Sequence, residues 1–265
     1  MIGKEHEGNP QHSELSLNTD TDSSILCGDS EYDSGSGKGI DAPQTPTNTG
    51  NMGRQCHTST PKAKSDKTWG LVIGGSNTRG LQLTDDMPVD VSLCGIGGTK
   101  LRDIPDRVDR CVLEPDTVRV VVVHVGSCEW NLDSEKLPSG EEVYREYVEA
   151  LNHISDKYKQ AEIVISSVPP RAPIGKAKYK AAKVNTHISD LNKKLKELVQ
   201  NEQNLGFVDN DLGLKRGAEV YTDMYKDDIH LNEQGRFILA DNLKTGIREG
   251  YGKNVLREEW NVAPS

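Results

Sequence analysis

The sequence predicts an α/β domain, a three-layer α/β/α sandwich around a five-stranded parallel sheet. Three observations predict it. Short, mostly apolar runs rich in Val and Ile recur along the chain, the mark of strands buried on both faces. Between them lie longer segments whose apolar residues recur at helical spacing. The two kinds alternate, and such alternation implies parallel strands joined by right-handed crossovers, with helices on both faces of the sheet.

Residues 69–73 form the first expected strand, closed by Gly74 and Gly75 and followed by Ser76 and Asn77 where a helix can start. Residues 90–94 are the second, ending in the cluster Gly95-Ile96-Gly97-Gly98-Thr99, whose spacing is not the dinucleotide fingerprint. A helix is expected over about 101–111, with Ile104, Val108 and Cys111 on one face and Pro105 arguing against it. Residues 118–125 are the strongest strand and the expected sheet centre, and 126–131 are the loop at its carboxyl end. An amphipathic helix over 141–159 carries Val143, Tyr147, Ala150, Leu151, Ile154 and Tyr158. Residues 162–166 are a fourth strand, closed by Pro169 and Pro170. Val184, Ile188, Leu191, Leu195 and Leu198 give a helix over 183–200, and 205–209 a short fifth strand. Asn232 can cap a last helix whose apolar face would be Phe237, Ile238, Ala240, Leu243 and Ile247.

The chain has 265 residues, of which only 34% are hydrophobic and 5% aromatic, too few for one compact domain throughout. The deficit lies in residues 1–67, rich in Ser, Thr, Asn, Asp, Gly and Pro and without apolar period, which read as a disordered tail. The expected domain is 68–249, and 250–265 a loose C-terminal tail. A net charge of -9 argues against nucleic acid or an anionic membrane as partner. The five cysteines (Cys27, Cys56, Cys94, Cys111, Cys128) are scattered without metal-ligand spacing, so no zinc site, no disulfide framework and no cofactor is indicated. With no secretory h-region and no apolar run of membrane-spanning length, a soluble cytoplasmic protein is expected. Oligomeric state has no signature.

Two stretches carry groups that could do chemistry. Asp227 and His230 are three residues apart, so one turn puts both side chains on the same side. A carboxylate on one imidazole nitrogen fixes the tautomer, leaving the other nitrogen to take a serine proton. The same pattern also fits an Asp that caps a turn beside a surface histidine. Ser76 likewise fits an ordinary strand-to-helix turn. Yet Ser76 follows the first strand and Asp227 and His230 follow the fifth, so all three fall at the carboxyl edge of one sheet. With the flavodoxin-like order 2-1-3-4-5, those strand ends converge in the switch-point crevice. The G-x-S-x-G of the α/β-hydrolases is absent, because Gly74-Gly75-Ser76-Asn77-Thr78 ends in Thr. His124, inside an apolar strand, reads as a satisfied buried histidine, and the basic run Arg171, Lys176, Lys178, Lys180, Lys183 as a solvated face.

From about Thr68 to Gly246 the chain resembles the SGNH, or GDSL-like, hydrolases. Gly74-Gly75-Ser76-Asn77 resembles the nucleophile block and Gly97-Gly98-Thr99 the second block. Gly126-Ser127-Cys128-Glu129 sits where the family has Gly-x-Asn-Asp, and Asp227-Asp228-Ile229-His230-Leu231-Asn232 resembles the final Asp-x-x-His block. The resemblance implies a serine esterase without metal or cofactor that cleaves a small acyl group, such as acetyl, from a lipid or carbohydrate. It implies Ser76 as nucleophile, His230 as general base and then acid, and Asp227 as the residue that orients it. The N–H groups of Ser76 and Gly98 would hold the oxyanion. Two residues depart from the pattern: Gly75 replaces an Asp, and Cys128 falls at an oxyanion-hole Asn, where a thiol is a poor donor. Asn77 or Asn131 could substitute for it. The alternative is a weakened or inactive SGNH-like binding module of a larger protein, of the kind found in invertebrate multidomain proteins and mobile-element reading frames.

Overall fold

The computed structural model describes residues 67–262. The expected N-terminal tail lies outside the described residues except for its last residue. Five parallel strands form one sheet: β1 (Trp69–Gly74), β2 (Asp90–Gly95), β3 (Val118–His124), β4 (Glu162–Ser166) and β5 (Leu205–Val208), in the order β2-β1-β3-β4-β5. β3 is central because its β-branched side chains suit burial on both sides. Val121 and Val123 enter one core layer, and Val120 and Val122 enter the other. The first layer is closed by α1 (Ile104–Asp109), α2 (Gly140–Lys157) and α3 (Ala181–Asn201). The second is closed by α4 (Glu233–Val262) together with Leu81, Leu83, Leu214, Tyr225 and Leu231.

Local chemistry explains most boundaries. The expected helix over 101–111 divides into a 3-10 turn, Leu101–Asp103, and α1, with Pro105 in the first turn of α1, where its missing N–H costs nothing. α2 begins earlier than its apolar period indicates. Ser139 and Glu142 form a capping box, in which Ser139 Oγ accepts from Glu142 N at 3.2 Å while Glu142 Oε2 accepts from Ser139 N at 2.8 Å. Asn232 caps α4 as expected, its Oδ1 accepting from Gly235 N at 3.0 Å. A two-stranded hairpin, β6 (Lys215–Arg216) and β7 (Glu219–Val220), was not foreseen, since two-residue strands carry no readable period.

Two features of α4 correct the expectation. Phe237 is 76% exposed, and the buried stripe is Leu239, Leu243 and Ile247. The helix also runs on to Val262, twelve residues past Gly250, where the domain was expected to end and a loose tail to begin. Gly250 is not a stop but a close approach of helix to sheet: a Cβ there would stand 2.8 Å from methyl groups of Val120 and Val164. Beyond it the anchors are polar. Asn254, fully buried, donates to Gln160 O, and Lys253 and Arg257 each stand 3.5 Å from the buried carboxylate of Glu162. Arg119 pairs with Glu258 at 3.2 Å. Among the described residues no helix is long and apolar enough to cross a membrane.

Candidate active site

Ser76 opens a 3-10 turn, Ser76–Thr78, directly after β1 at the carboxyl edge of the sheet. Asp227 and His230 lie in a tight loop between a 3-10 turn, Thr222–Met224, and α4. That loop is closed by its own backbone: Lys226 N donates to His230 O at 2.7 Å and Asn232 N to Met224 O at 2.9 Å. Asp227 performs both tasks that the sequence left open. Its Oδ1 accepts from Ile229 N at 2.9 Å and His230 N at 2.7 Å, which folds the turn, and its Oδ2 stands 2.8 Å from His230 Nδ1. Burial works to raise the Asp227 carboxyl. The N–H groups of His230 and Ile229, with the His230 imidazole, outweigh it and hold the carboxyl below the usual range. The carboxylate therefore stays ionised and keeps a proton on Nδ1, which leaves Nε2 as the basic nitrogen.

The side chain that joins the two loops is Asn77, one residue after Ser76. Its Nδ2 donates to Ile229 O at 3.1 Å and its Oδ1 accepts from Leu231 N at 3.0 Å. These two partners flank His230 in sequence, so the turn that carries Ser76 is fastened on either side of the imidazole. Among the described residues no direct hydrogen bond joins Ser76 to His230. Asn77 is 6% exposed, and its amide oxygen and one of its two N–H donors are committed to the loop. Asn131 is exposed, and its Oδ1 accepts from Asp133 N at 3.0 Å in a local turn.

A cavity of about 20 Å³, room for a single water, lies beside Ser76 and is lined by Gly75, Asn77, Thr99, Gly126, Ser127 and Cys128 among others. Thr99 lines it rather than Gly98, which is exposed and has a positive φ of 70°. Cys128 does line it, as its place after β3 suggests. His124, at the end of β3, also borders it and is 4% exposed, with Nδ1 2.9 Å from Ser166 Oγ. Ser166 Oγ also accepts from Asn210 Nδ2 at 2.7 Å, so the imidazole and the Asn210 amide meet at one hydroxyl. Burial pushes His124 down to about 4, and it is neutral near pH 7.

Two further braces were not legible in the sequence. Glu129 Oε1 accepts from Leu101 N at 2.7 Å and ties the loop after β3 to the segment after β2. Burial raises the Glu129 carboxyl, and the Leu101 N–H works against that rise. Arg171, expected on a solvated basic face, is 7% exposed. Its guanidinium donates to Ser127 O at 3.0 Å, Trp130 O at 2.8 Å and Asp228 Oδ2 at 2.5 Å, linking the loop that bears Cys128 to the residue after Asp227. The Arg171 backbone is fixed in turn by the Asn185 amide, which accepts from its N–H at 2.7 Å and donates to its carbonyl at 2.9 Å. Lys176, Lys178, Lys180 and Lys183 are exposed, as expected.

Known structures share the fold. A protein from Streptococcus pneumonia, 18% identical, superposes with a TM-score of 0.57 over 72% of this chain and 86% of its own. A GDSL-like lipase from Bacteroides thetaiotaomicron, 15% identical, gives 0.55 over 69% and 88%. The lipase/acylhydrolase from Enterococcus faecalis, 18% identical, gives 0.52 over 69% and 96%. At these identities the likeness is one of fold. Among curated proteins no sequence matches. The GDSL-like lipase/acylhydrolase family model matches residues 68–236, well over half of the chain and the whole stretch from β1 to the first turn of α4. Ser76, Asp227 and His230 all fall inside that stretch, and the chain belongs to the GDSL-like lipase/acylhydrolase family.

Proposed function

We propose that the protein is a serine ester hydrolase for a small acyl ester, with Ser76 as nucleophile, His230 as general base and Asp227 as the group that orients it. The observation that carries this reading is the Asn77 clamp, which fastens the Ser76 turn to both neighbours of His230. Asp227 holds Nδ1, so Nε2 takes the Ser76 proton as Oγ attacks the ester carbonyl. The C–O bond to the alcohol breaks as His230 returns that proton to the leaving oxygen. A water then loses its proton to Nε2 and attacks the acyl–Ser76 ester; the bond to Oγ breaks as His230 returns that proton to Oγ, which frees the acid and restores Ser76 and the imidazole. The backbone N–H groups of Ser76 and Gly98 are the proposed donors to the oxyanion. The narrow cavity beside Ser76 favours a short acyl group such as acetyl, with the lipid or carbohydrate alcohol outside it.

A second reading, a weakened or non-catalytic accessory domain, is favoured by one observation. Cys128 borders the cavity where the family has an amide, and a thiol is a poor donor. A missing oxyanion donor costs about 100- to 1000-fold in rate. Cys128→Asn is therefore expected to raise turnover of an activated acetyl ester by about 10- to 1000-fold. The gain should appear in kcat rather than KM, because the donor acts on charge that develops only in the transition state. Ser76→Ala should abolish hydrolysis in both backgrounds. Equal inertness of the wild type and Cys128→Asn would favour the accessory reading.

A further inference from the structure

Away from the site just described, two cysteines from different elements meet at one cavity. Cys94 is the next-to-last residue of β2, an edge strand, and Cys111 follows the end of α1. Both are partly buried thiols packed against the first core layer, and both line an open cavity of about 300 Å³ with Leu93, Ile96, Arg107 and Arg110. Cys111 is held in place by its backbone, with N donating to Val108 O at 3.1 Å, and by its thiol, whose Sγ stands 3.4 Å from Arg107 O.

The two sulfurs are unequal. The neighbouring Cys111 thiol lowers the Cys94 thiol to about 6; burial opposes that shift and the Arg107 charge adds to it. The Cys111 thiol is raised, first by the neighbouring Cys94 sulfur and then by burial. One thiolate with an adjacent protonated thiol, open to solvent beside two guanidinium groups, is the arrangement of an attacking and a resolving cysteine. No sequence pattern signals it, since the pair is seventeen residues apart and shows no C-x-x-C spacing.

We propose that Cys94 and Cys111 form a peroxide-reactive dithiol site, with Cys94 as the attacking sulfur and Cys111 as the resolving one. The Cys94 thiolate attacks one oxygen of a hydroperoxide, the O–O bond breaks, and the departing oxygen takes up a proton. The product is the Cys94 sulfenic acid. Cys111 then gives up its proton and attacks the Cys94 sulfur, the S–O bond breaks, and water leaves. Two thiols and one hydrogen peroxide thus become one disulfide and two waters. The cavity supplies the access, and Arg107 supports the negative charge on the attacking sulfur.

The test uses the full chain and does not depend on ester hydrolysis, so its failure and the failure of the esterase reading are separate outcomes. At pH 7, limiting iodoacetamide followed by peptide mass spectrometry should show Cys94 alkylated at least about tenfold faster than Cys111. Treatment with a few equivalents of hydrogen peroxide should yield a Cys94–Cys111 linked peptide and a mass loss of two hydrogens. In Cys111→Ser, checked for folding by circular dichroism, the linked peptide should vanish and dimedone should trap a sulfenic acid at Cys94. If Cys111→Ser does not fold, the alkylation ratio in the wild-type chain decides alone. Equal alkylation rates, or peroxide that links other cysteines while Cys94 and Cys111 stay reduced, would overturn the proposal.

Discussion

Arg171 shows how much of this site rests on residues that carry no chemistry. Its guanidinium satisfies two carbonyls of the loop after β3 and the Asp228 carboxylate, and so sets the distance between the Cys128 loop and the Asp227 turn. Removing one partner from a buried charge pair strands the other, at a cost of about 3 kcal/mol. Arg171→Met should lower stability by roughly that amount in urea unfolding. Arg171→Lys, which cannot reach three acceptors from a single nitrogen on the same path, should fold but lose kcat for an acetyl ester by about tenfold or more, with little change in KM. A lysine variant with unchanged kcat would reduce Arg171 to a structural role. The sequence made Ser76, Asp227 and His230 legible because each stands at the carboxyl end of a readable strand or in a short motif. Asn77 and Arg171 were illegible as braces, since their partners lie in loops far away in sequence and neither makes a pattern with its neighbours.

At the scale of elements, the strands were legible almost residue by residue, because an apolar β-branched run has few other uses. The end of α4 was not. After Ile247 its anchors are a glycine packed on valines and polar side chains aimed at buried acceptors, neither of which adds to an apolar period. Two glycines of this helix test that account with opposite signs. Alanine at position 250 would place its methyl group 2.8 Å from Val120 and Val164, inside a closed core. Such overpacking costs about 1–3 kcal/mol, more than the gain of up to about 1 kcal/mol in helix propensity. At Gly252, exposed and with nothing within 4 Å, only the propensity remains. Gly250→Ala should therefore lower the melting temperature and Gly252→Ala raise it slightly. A stabilising Gly250→Ala would mean that the helix does not lie on the sheet at that point.

At the scale of the whole molecule, a buried polar chain crosses the second layer from β3 to α4, through His124, Ser166, Asn210 and Asn242. Burial keeps its imidazole neutral near pH 7. His124 falls from an ordinary value of 6.5 to about 4 in the folded protein. Between those values the unfolded chain binds the proton and the folded chain does not, so this group's contribution is present above pH 6.5 and declines as pH falls toward 4. The loss is on the order of 3 kcal/mol. Glu129, Glu162 and Asp211 are all raised, first by burial, and shift stability in the opposite sense over their own range, so the comparison must be differential. Urea unfolding of the wild type and His124→Gln at pH 7 and pH 4.5 should show the wild type losing more stability than the variant on acidification. Parallel loss in the two would place the acid sensitivity elsewhere.

The central claim is that Ser76 is a nucleophile activated by His230. Labelling by a fluorophosphonate probe measures it most directly, because the phosphonyl–Ser76 bond accumulates even where ester turnover is slow. The account predicts one label per chain, located on the peptide that contains Ser76, absent in Ser76→Ala and slowed by about 100-fold or more in His230→Ala. A wild-type chain left unlabelled, or labelled equally well without His230, would contradict it.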